Sequence, residues 1–149
     1  MPFVLGSRSL EKVGIVGSGQ IGPDIALHMT KVLAPAGATV VVVDIAPKAL
    51  DAGRAKLAKK IDRGVETGAF TPEQGASMKA NVIFTEDYGA LHDADFVIEA
   101  ATENLEVKRR IFSQLENLAA RGAILASNSS HLEPESIFEE LRDSSRASV

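Results

Sequence analysis

A doubly wound, mostly parallel α/β sheet with helices on both faces is the fold that this 149-residue sequence predicts, and three observations predict it. Short apolar runs alternate with stretches of helical period along the chain, as expected when strand-helix-strand units build a parallel sheet. One of those runs, Thr39 to Val43, is unbroken and β-branched, which suits a strand covered on both faces. The first run passes into Gly17-Ser18-Gly19-Gln20-Ile21-Gly22 and then into a helical pattern. That spacing, G-x-G-x-x-G between a strand and a helix, is the one that binds dinucleotides in Rossmann-type domains.

Met1 to Leu10 read as a short, frayed lead-in without chemistry, and the domain proper occupies 11–149. Lys12 to Val16 make the first strand. Gly17 then turns the chain out of the strand, Gly19 lets backbone approach a pyrophosphate, and Gly22 lets the new helix pack closely on the sheet. The helix start supplies free N–H groups and the positive end of a dipole, so an anion needs no lysine there. The spacing alone also fits a glycine turn made for steric reasons. Along the helix, Ile21, Ile25, Met29, Val32 and Leu33 form one stripe with His28 at its edge, a partly buried, hydrogen-bonded position. Pro23 is acceptable in the first turn, and Pro35-Ala36-Gly37-Ala38 end the helix.

The second strand, Thr39 to Val43, ends at Asp44. An acidic residue about twenty positions beyond the third glycine, at this strand tip, accepts hydrogen bonds from the adenosine ribose hydroxyls. Its charge repels a 2'-phosphate, so NAD is favoured over NADP. Pro47 to Thr67 is a long helical pattern with Lys48, Arg54, Lys56, Lys59, Lys60 and Arg63 on its outer positions. This face reads either as solvated or as a cationic surface for the phosphates of a large anionic substrate such as a coenzyme A ester. Thr71-Pro72-Glu73-Gln74 opens a short helix to about Met78.

Strands follow at Asn81 to Phe84, Asp95 to Ala100 and Ala123 to Ala126. Between the last two lies a helix capped by Thr102 or Asn104, with Ile111, Phe112, Leu115, Leu118 and Ala119 as its buried stripe. A final helix spans Pro134 to Leu141, and Ala147-Ser148-Val149 reads as the opening of a sixth strand. Ligands of such sheets bind outside the carboxyl ends of the strands. Gly17, Asp44, Ala100 and Ser127 all fall there.

A net charge of −4 and a pI near 5.4 give no general attraction to nucleic acid or to an anionic membrane. Without cysteine there is neither a disulfide nor a thiolate metal site, and no metal is expected. No apolar run suits a signal peptide or a membrane span. A cytoplasmic protein is the expectation.

From about Lys12 to about Arg146 the sequence resembles the N-terminal domain of the 3-hydroxyacyl-CoA dehydrogenases. The likeness rests on Gly17 to Gly22 with Asp44, on Val97-Ile98-Glu99-Ala100-Ala101-Thr102-Glu103-Asn104-Leu105-Glu106-Val107-Lys108, and on Ile124-Leu125-Ala126-Ser127-Asn128-Ser129-Ser130. The resemblance implies that Gly17, Ser18, Gly19, Gln20, Ile21, Gly22 and Asp44 hold NAD. It implies that Glu103 and Lys108 contact the cofactor near its nicotinamide end, and that Ser130 stands against both the substrate 3-oxygen and the nicotinamide of the cofactor. Ser130 then positions rather than attacks, since no partner base lies in its motif. Read from residues alone, the serine cluster equally suits a hydrogen-bonded loop or a helix cap before Pro134, and Glu99 a support for its loop.

The reaction so implied moves hydride from C3 of an (S)-3-hydroxyacyl-CoA to NAD, with an acyl-CoA as the substrate partner. A homodimer is expected only with the family's helical C-terminal domain. The sequence departs from the family in four ways. The interval from Gly17 to Asp44 is longer by about one helical turn, Ile21 replaces a methionine, and His131 replaces a serine. The family's Gly-Leu-His-Phe-Phe-Asn-Pro motif, whose histidine is the general base, does not occur in these 149 residues. The expectation is a cofactor domain apparently cut at its sixth strand and inactive alone. Two rivals stay open, a dehydrogenase of a hydroxy acid or sugar acid without coenzyme A, and a non-catalytic NAD-binding module.

Overall fold

Val40, Val41, Val42 and Val43 are all buried, and their side chains divide between two cores. Val40 and Val42 pack with Val13, Ile15, Leu33 and Ile61, whereas Val41 and Val43 pack with Val16, Val97, Phe112 and Leu125. A strand with a core on each face has no place for polar alternation. The computed structural model describes residues 2–130, 132–139, 141 and, as backbone, 147–148. Its elements in order are β1 (Phe3–Leu5), β2 (Arg8–Leu10), β3 (Lys12–Val16), α1 (Gly22–Leu33), β4 (Thr39–Val43), α2 (Pro47–Glu66), α3 (Pro72–Ala80), β5 (Val82–Thr85), β6 (Phe96–Glu99), α4 (Leu105–Leu118), β7 (Ile124–Ser127), α5 (Pro134–Phe138) and β8 (Ala147–Ser148). Short 3-10 turns occupy Ala34–Ala36 and Tyr88–Leu91.

The main sheet has the order β5-β4-β3-β6-β7-β8, and every pairing in it is parallel. β3 therefore lies in the middle, with successive strands winding first to one side and then to the other. This is the doubly wound arrangement the sequence predicts, and the reversal beside β3 opens a crevice at its carboxyl end. Helices α1, α2 and α3 cover one face and α4 and α5 the other. Gly14 belongs to the centre of this packing, because a Cβ there would meet Leu91 Cδ2 at 2.5 Å.

The helix ends follow local chemistry. Gly37 takes φ +78° after the 3-10 turn, a left-handed value that glycine adopts without strain. The hydroxyl of Thr71 accepts the Gln74 N–H at 3.1 Å while Gln74 Oε1 accepts the Thr71 N–H at 2.8 Å, a reciprocal capping box. Asn104, rather than Thr102, caps α4, with Oδ1 accepting the Val107 N–H at 3.1 Å.

Several expectations need correction. The frayed lead-in is an antiparallel hairpin, β1 with β2. Arg8 pins it by reaching Asp95 at 3.1 Å and the Arg121 carbonyl at 2.8 Å. The α1 stripe is also shifted. Gly22, Pro23, Ala26, Thr30 and Leu33 are its buried positions, while Ile21 and Val32 are each 51 % exposed and His28 is exposed. Thr30 tolerates burial because its hydroxyl donates to the Met78 carbonyl. β7 begins one residue later than expected, and α5 ends at Phe138 rather than Leu141. Residues Arg142 to Arg146, His131 and Val149 lie outside the described residues.

Helices α1 and α2 are tied by charge as well as by packing. Asp24 accepts from Lys60 at 2.5 Å and from Lys56 at 3.2 Å, and the Lys60 hydrogen bond leads the causes that hold its carboxyl below the ordinary value. A depressed carboxyl adds stability above its unfolded value, near 3.8, and loses it as pH falls through the lower folded value. Asp24→Asn is expected to cost at most about 1 kcal/mol at neutral pH, since the pair is partly solvated. Denaturant melts of the two proteins should converge once the pH falls below the folded value, and a pH-independent difference would contradict the pairing.

Candidate cofactor-binding site

The three glycines at the end of β3 meet different surroundings. Gly17 has φ +113°, and a Cβ there would strike the Ala100 carbonyl oxygen at 2.7 Å and Ala101 Cα at 2.8 Å. A Cβ on Gly22 would fall on the Gly17 carbonyl oxygen. Gly19 has nothing within 4 Å of its missing Cβ. A glycine turn made for steric reasons accounts for Gly17 and Gly22, but not for the open space at Gly19. Open backbone beside a helix start is what a pyrophosphate requires.

The start of α1 carries no side-chain cap, so its first N–H groups are not taken by a local carboxylate or hydroxyl. Asp24 in the first turn would oppose an anion. Lys56 and Lys60 neutralise it, and Lys56 also donates to the Gln20 carbonyl at 2.7 Å. Part of the basic face of α2 is thus used to hold the glycine loop. Gln20 and Ile21 are exposed in that loop. Ser18 is buried, its hydroxyl donating to the Ala49 carbonyl at 2.8 Å in space left by the missing Cβ of Gly53. The Ser18 side chain therefore packs the loop onto α2.

Asp44 stands at the tip of β4, as its spacing requires. Its carboxylate accepts the Ser18 N–H at 2.8 Å on Oδ2 and the Ala46 N–H at 2.9 Å on Oδ1. Each oxygen retains acceptor capacity, and the group is oriented before any ligand arrives. It borders a cavity of about 790 Å³, shared with Gly17, Ile45, Tyr88, Thr102 and the α4 face of Val107, Arg110, Ile111 and Gln114. Ile45, 80 % exposed, and the two α4 aliphatics make this wall largely apolar. Burial, with Asp44 and Glu99 nearby, pushes the Tyr88 phenol up, so it remains a protonated hydroxyl.

The sequence reading missed Tyr88 and Arg110. Two signals pointed to them. Asp87-Tyr88-Gly89 is a side-chain-capped turn, with Asp87 Oδ1 accepting the Gly89 N–H at the mouth of the sheet. Val107, Arg110, Ile111 and Gln114 follow the i, i+3, i+4, i+7 spacing of one helix face.

At the neighbouring strand ends, Glu103 accepts the Ser129 hydroxyl at 3.1 Å, which links the loop after β6 to the loop after β7. Ser129 also accepts the Leu132 N–H at 3.3 Å. Glu103 and Ser130 are exposed, each on one of these two loops. Lys108 does not join them. It is 0 % exposed, with Nζ 2.5 Å from Glu99 Oε1 and 3.4 Å from Ser127 Oγ. In this geometry the buried Glu99 carboxylate draws the Lys108 ammonium inward. Glu99 supports its loop as expected, accepting the Ala101 N–H at 2.7 Å.

The sequence pattern of the family described as "3-hydroxyacyl-CoA dehydrogenase, NAD binding domain" matches residues 12–149. A 3-hydroxybutyryl-CoA dehydrogenase of Mycobacterium tuberculosis is 36% identical over 127 residues, which are 85% of this chain and 43% of that protein. The crystal structure of (S)-3-hydroxybutyryl-CoA dehydrogenase from Ralstonia eutropha superposes with a TM-score of 0.84 at 34% identity, covering 93% of this chain and 48% of the other. The 3-hydroxybutyryl-CoA dehydrogenase of Escherichia coli K12 gives 0.86 at 30% identity, covering 94% and 29%. The chain thus spans less than half the length of these relatives. With an open glycine cradle, an oriented Asp44 and this match over 12–149, the chain belongs to the NAD-binding domain family of the 3-hydroxyacyl-CoA dehydrogenases.

Proposed function

We propose that this chain supplies the cofactor-holding half of a dehydrogenase acting at C3 of a 3-hydroxyacyl-CoA, of the short-chain kind its relatives' names describe. The observation that carries the reading is the open backbone at Gly19 between the uncapped start of α1 and Asp44. When bound, NAD supplies the hydride acceptor. The chain's own groups hold and orient it. The N–H groups at the start of α1 hold the pyrophosphate, with Gly17, Ser18, Gly19, Gln20, Ile21 and Gly22 shaping the loop around it. Asp44 accepts from the ribose hydroxyls and rejects a 2'-phosphate.

The apolar wall of Ile45, Val107 and Ile111 keeps water from an aromatic base. Glu103 sits at the reacting end of the cofactor, and Ser130 orients the substrate oxygen without ionising. None of His28, His92 and His131 stands in the family's histidine motif. We assign cofactor binding to the glycine loop, Asp44 and the loops after β6 and β7, and place proton acceptance and dimer formation in the C-terminal half that the relatives possess.

Calorimetric titration tests Asp44. Asp44→Ala is expected to weaken NAD binding by about 10- to 100-fold, the equivalent of hydrogen bonds to a charged group, and NADP should bind far more weakly than NAD to the unsubstituted protein. Equal affinity for the two would remove the role given to Asp44.

The glycines separate binding from folding. Gly19→Ala should change stability by no more than about 0.5 kcal/mol yet lower NAD affinity by about tenfold. Gly22→Ala, driven against the Gly17 carbonyl, should cost about 3 kcal/mol in a denaturant melt.

For the reaction itself, NADH oxidation with acetoacetyl-CoA is the measurement. The 149-residue chain should bind NADH but turn over at a negligible rate. A form that includes the relatives' C-terminal half should be active, and should prefer the acyl-CoA to a free keto acid. An enzyme-like rate from the chain alone would overturn the assignment.

A further inference from the structure

Beyond the end of β5 the chain makes a short 3-10 turn, Tyr88–Leu91, that is anchored on both sides. Asp87 N–H donates to Thr85 Oγ1 at 3.1 Å, and Asp87 Oδ1 accepts the Gly89 N–H at 2.8 Å. Leu91, 0 % exposed, takes the space that a side chain on Gly14 would need. Between these anchors stands Tyr88. It packs against the cluster that contains Val16, Val43 and Ile111, and it borders the cavity beside Asp44 and Ile45. It belongs to none of the three stretches that carry the family likeness.

The Tyr88 hydroxyl has no task within the chain. Among the described residues it makes no hydrogen bond, and none of their buried side-chain nitrogen or oxygen atoms lacks a partner, so this oxygen is open to water at the cavity wall. A tyrosine side chain has only two torsions, and packing of the ring restrains both. The oxygen is therefore oriented before a ligand arrives. Burial, with the Asp44 and Glu99 carboxylates nearby, keeps it protonated, and the negative potential of those carboxylates suits a partner that brings donor hydrogens.

Which ligand group reaches this wall follows from the neighbouring sites. With the pyrophosphate at the start of α1 and the ribose hydroxyls on Asp44, the base carried by that ribose falls to the cavity walled by Ile45, Val107 and Ile111. Adenine has apolar faces for those side chains and a 6-amino donor on its edge. Other polar groups of the wall suit that amino group less well. Arg110 has donors only, Thr102 Oγ1 already accepts the Asn104 N–H at 3.1 Å, and Gln114 is exposed, so its amide would have to be ordered on binding.

We propose that Tyr88 is a specificity residue for the base, its hydroxyl accepting a hydrogen bond from the 6-amino group of adenine. This rests on the NAD-binding reading and extends it to the base.

The test compares the 149-residue chain with Tyr88→Phe. The substitution removes only the hydroxyl, so the melting temperature should stay within about 2 °C. By calorimetry, NAD and ADP-ribose, which share the adenosine end, should both lose affinity by about 3- to 10-fold, the worth of one neutral hydrogen bond. NMR titration then compares AMP with purine riboside 5'-monophosphate, which lacks only the 6-amino group. AMP should weaken by a similar factor and the purine riboside monophosphate should bind as before.

Loss of NAD affinity without loss of ADP-ribose affinity would put the hydroxyl at the nicotinamide end and overturn the proposal. So would unchanged binding of all these ligands, or an equal loss for AMP and the purine riboside monophosphate, the sign of a bond to a ring nitrogen or of a purely structural effect. If the unsubstituted chain bound neither NAD nor AMP, the NAD-binding reading would fall and the role of Tyr88 with it. Binding that is intact yet indifferent to Tyr88→Phe removes the role of Tyr88 alone.

Discussion

The site depends on how closely three backbone segments approach at the carboxyl end of β3. Ala100 and Ala101 cross against the α-carbon of Gly17, and the Gly17 carbonyl in turn occupies the space where a side chain on residue 22 would lie. Neither contact leaves room for a methyl group. The entry angle of α1, the direction of its N–H groups and the distance from the glycine loop to Asp44 all follow from this stack. Asp44 closes it from the other side, through the Ser18 N–H. Flexible polar groups at a binding site would have to be ordered by the ligand; here the backbone packing and its hydrogen bonds order them beforehand.

Charge placement completes what packing begins. Asp24 lies in the first turn of the helix meant to face an anion, a position that α2 corrects by directing Lys56 and Lys60 onto it. Arg54 of the same helix is spent on Asp51, the Phe84 carbonyl and the face of the Phe84 ring. Half of a row that reads as uniformly basic in sequence is therefore committed to internal contacts. Lys48, Lys59 and Arg63 remain exposed, and the solvated-face reading is the simpler account of those three.

Much of this was legible in the sequence because the signals are local. Val13 to Val16 and Val40 to Val43 declare two-sided burial by composition, and Asp44 is fixed by its distance from the glycines. What was illegible depends on contacts between distant parts of the chain. Lys108 follows a helix cap and looks like an exposed charge, and its partner lies nine residues back on a different element. Ile21 and Val32 fit a helical stripe yet face outward, because the close packing permitted by Gly22 rotates α1 so that Ala26 and Thr30 meet the sheet. The β1–β2 hairpin escaped notice because each strand is only three residues long, and the arginine that secures it pairs with Asp95, far along the chain.

The strand order has a consequence for synthesis. β3 pairs with β4 through residues close in sequence, but its other neighbour begins at Phe96, opposite Val13. Ala100 and Ala101, which close over Gly17, arrive later still. A chain up to Thr85 contains the glycine loop, Asp44 and the residues of β4 and β5, yet it lacks the far wall of the crevice. The wall of the crevice that faces Gly17 is consequently complete only once β6 lies beside β3.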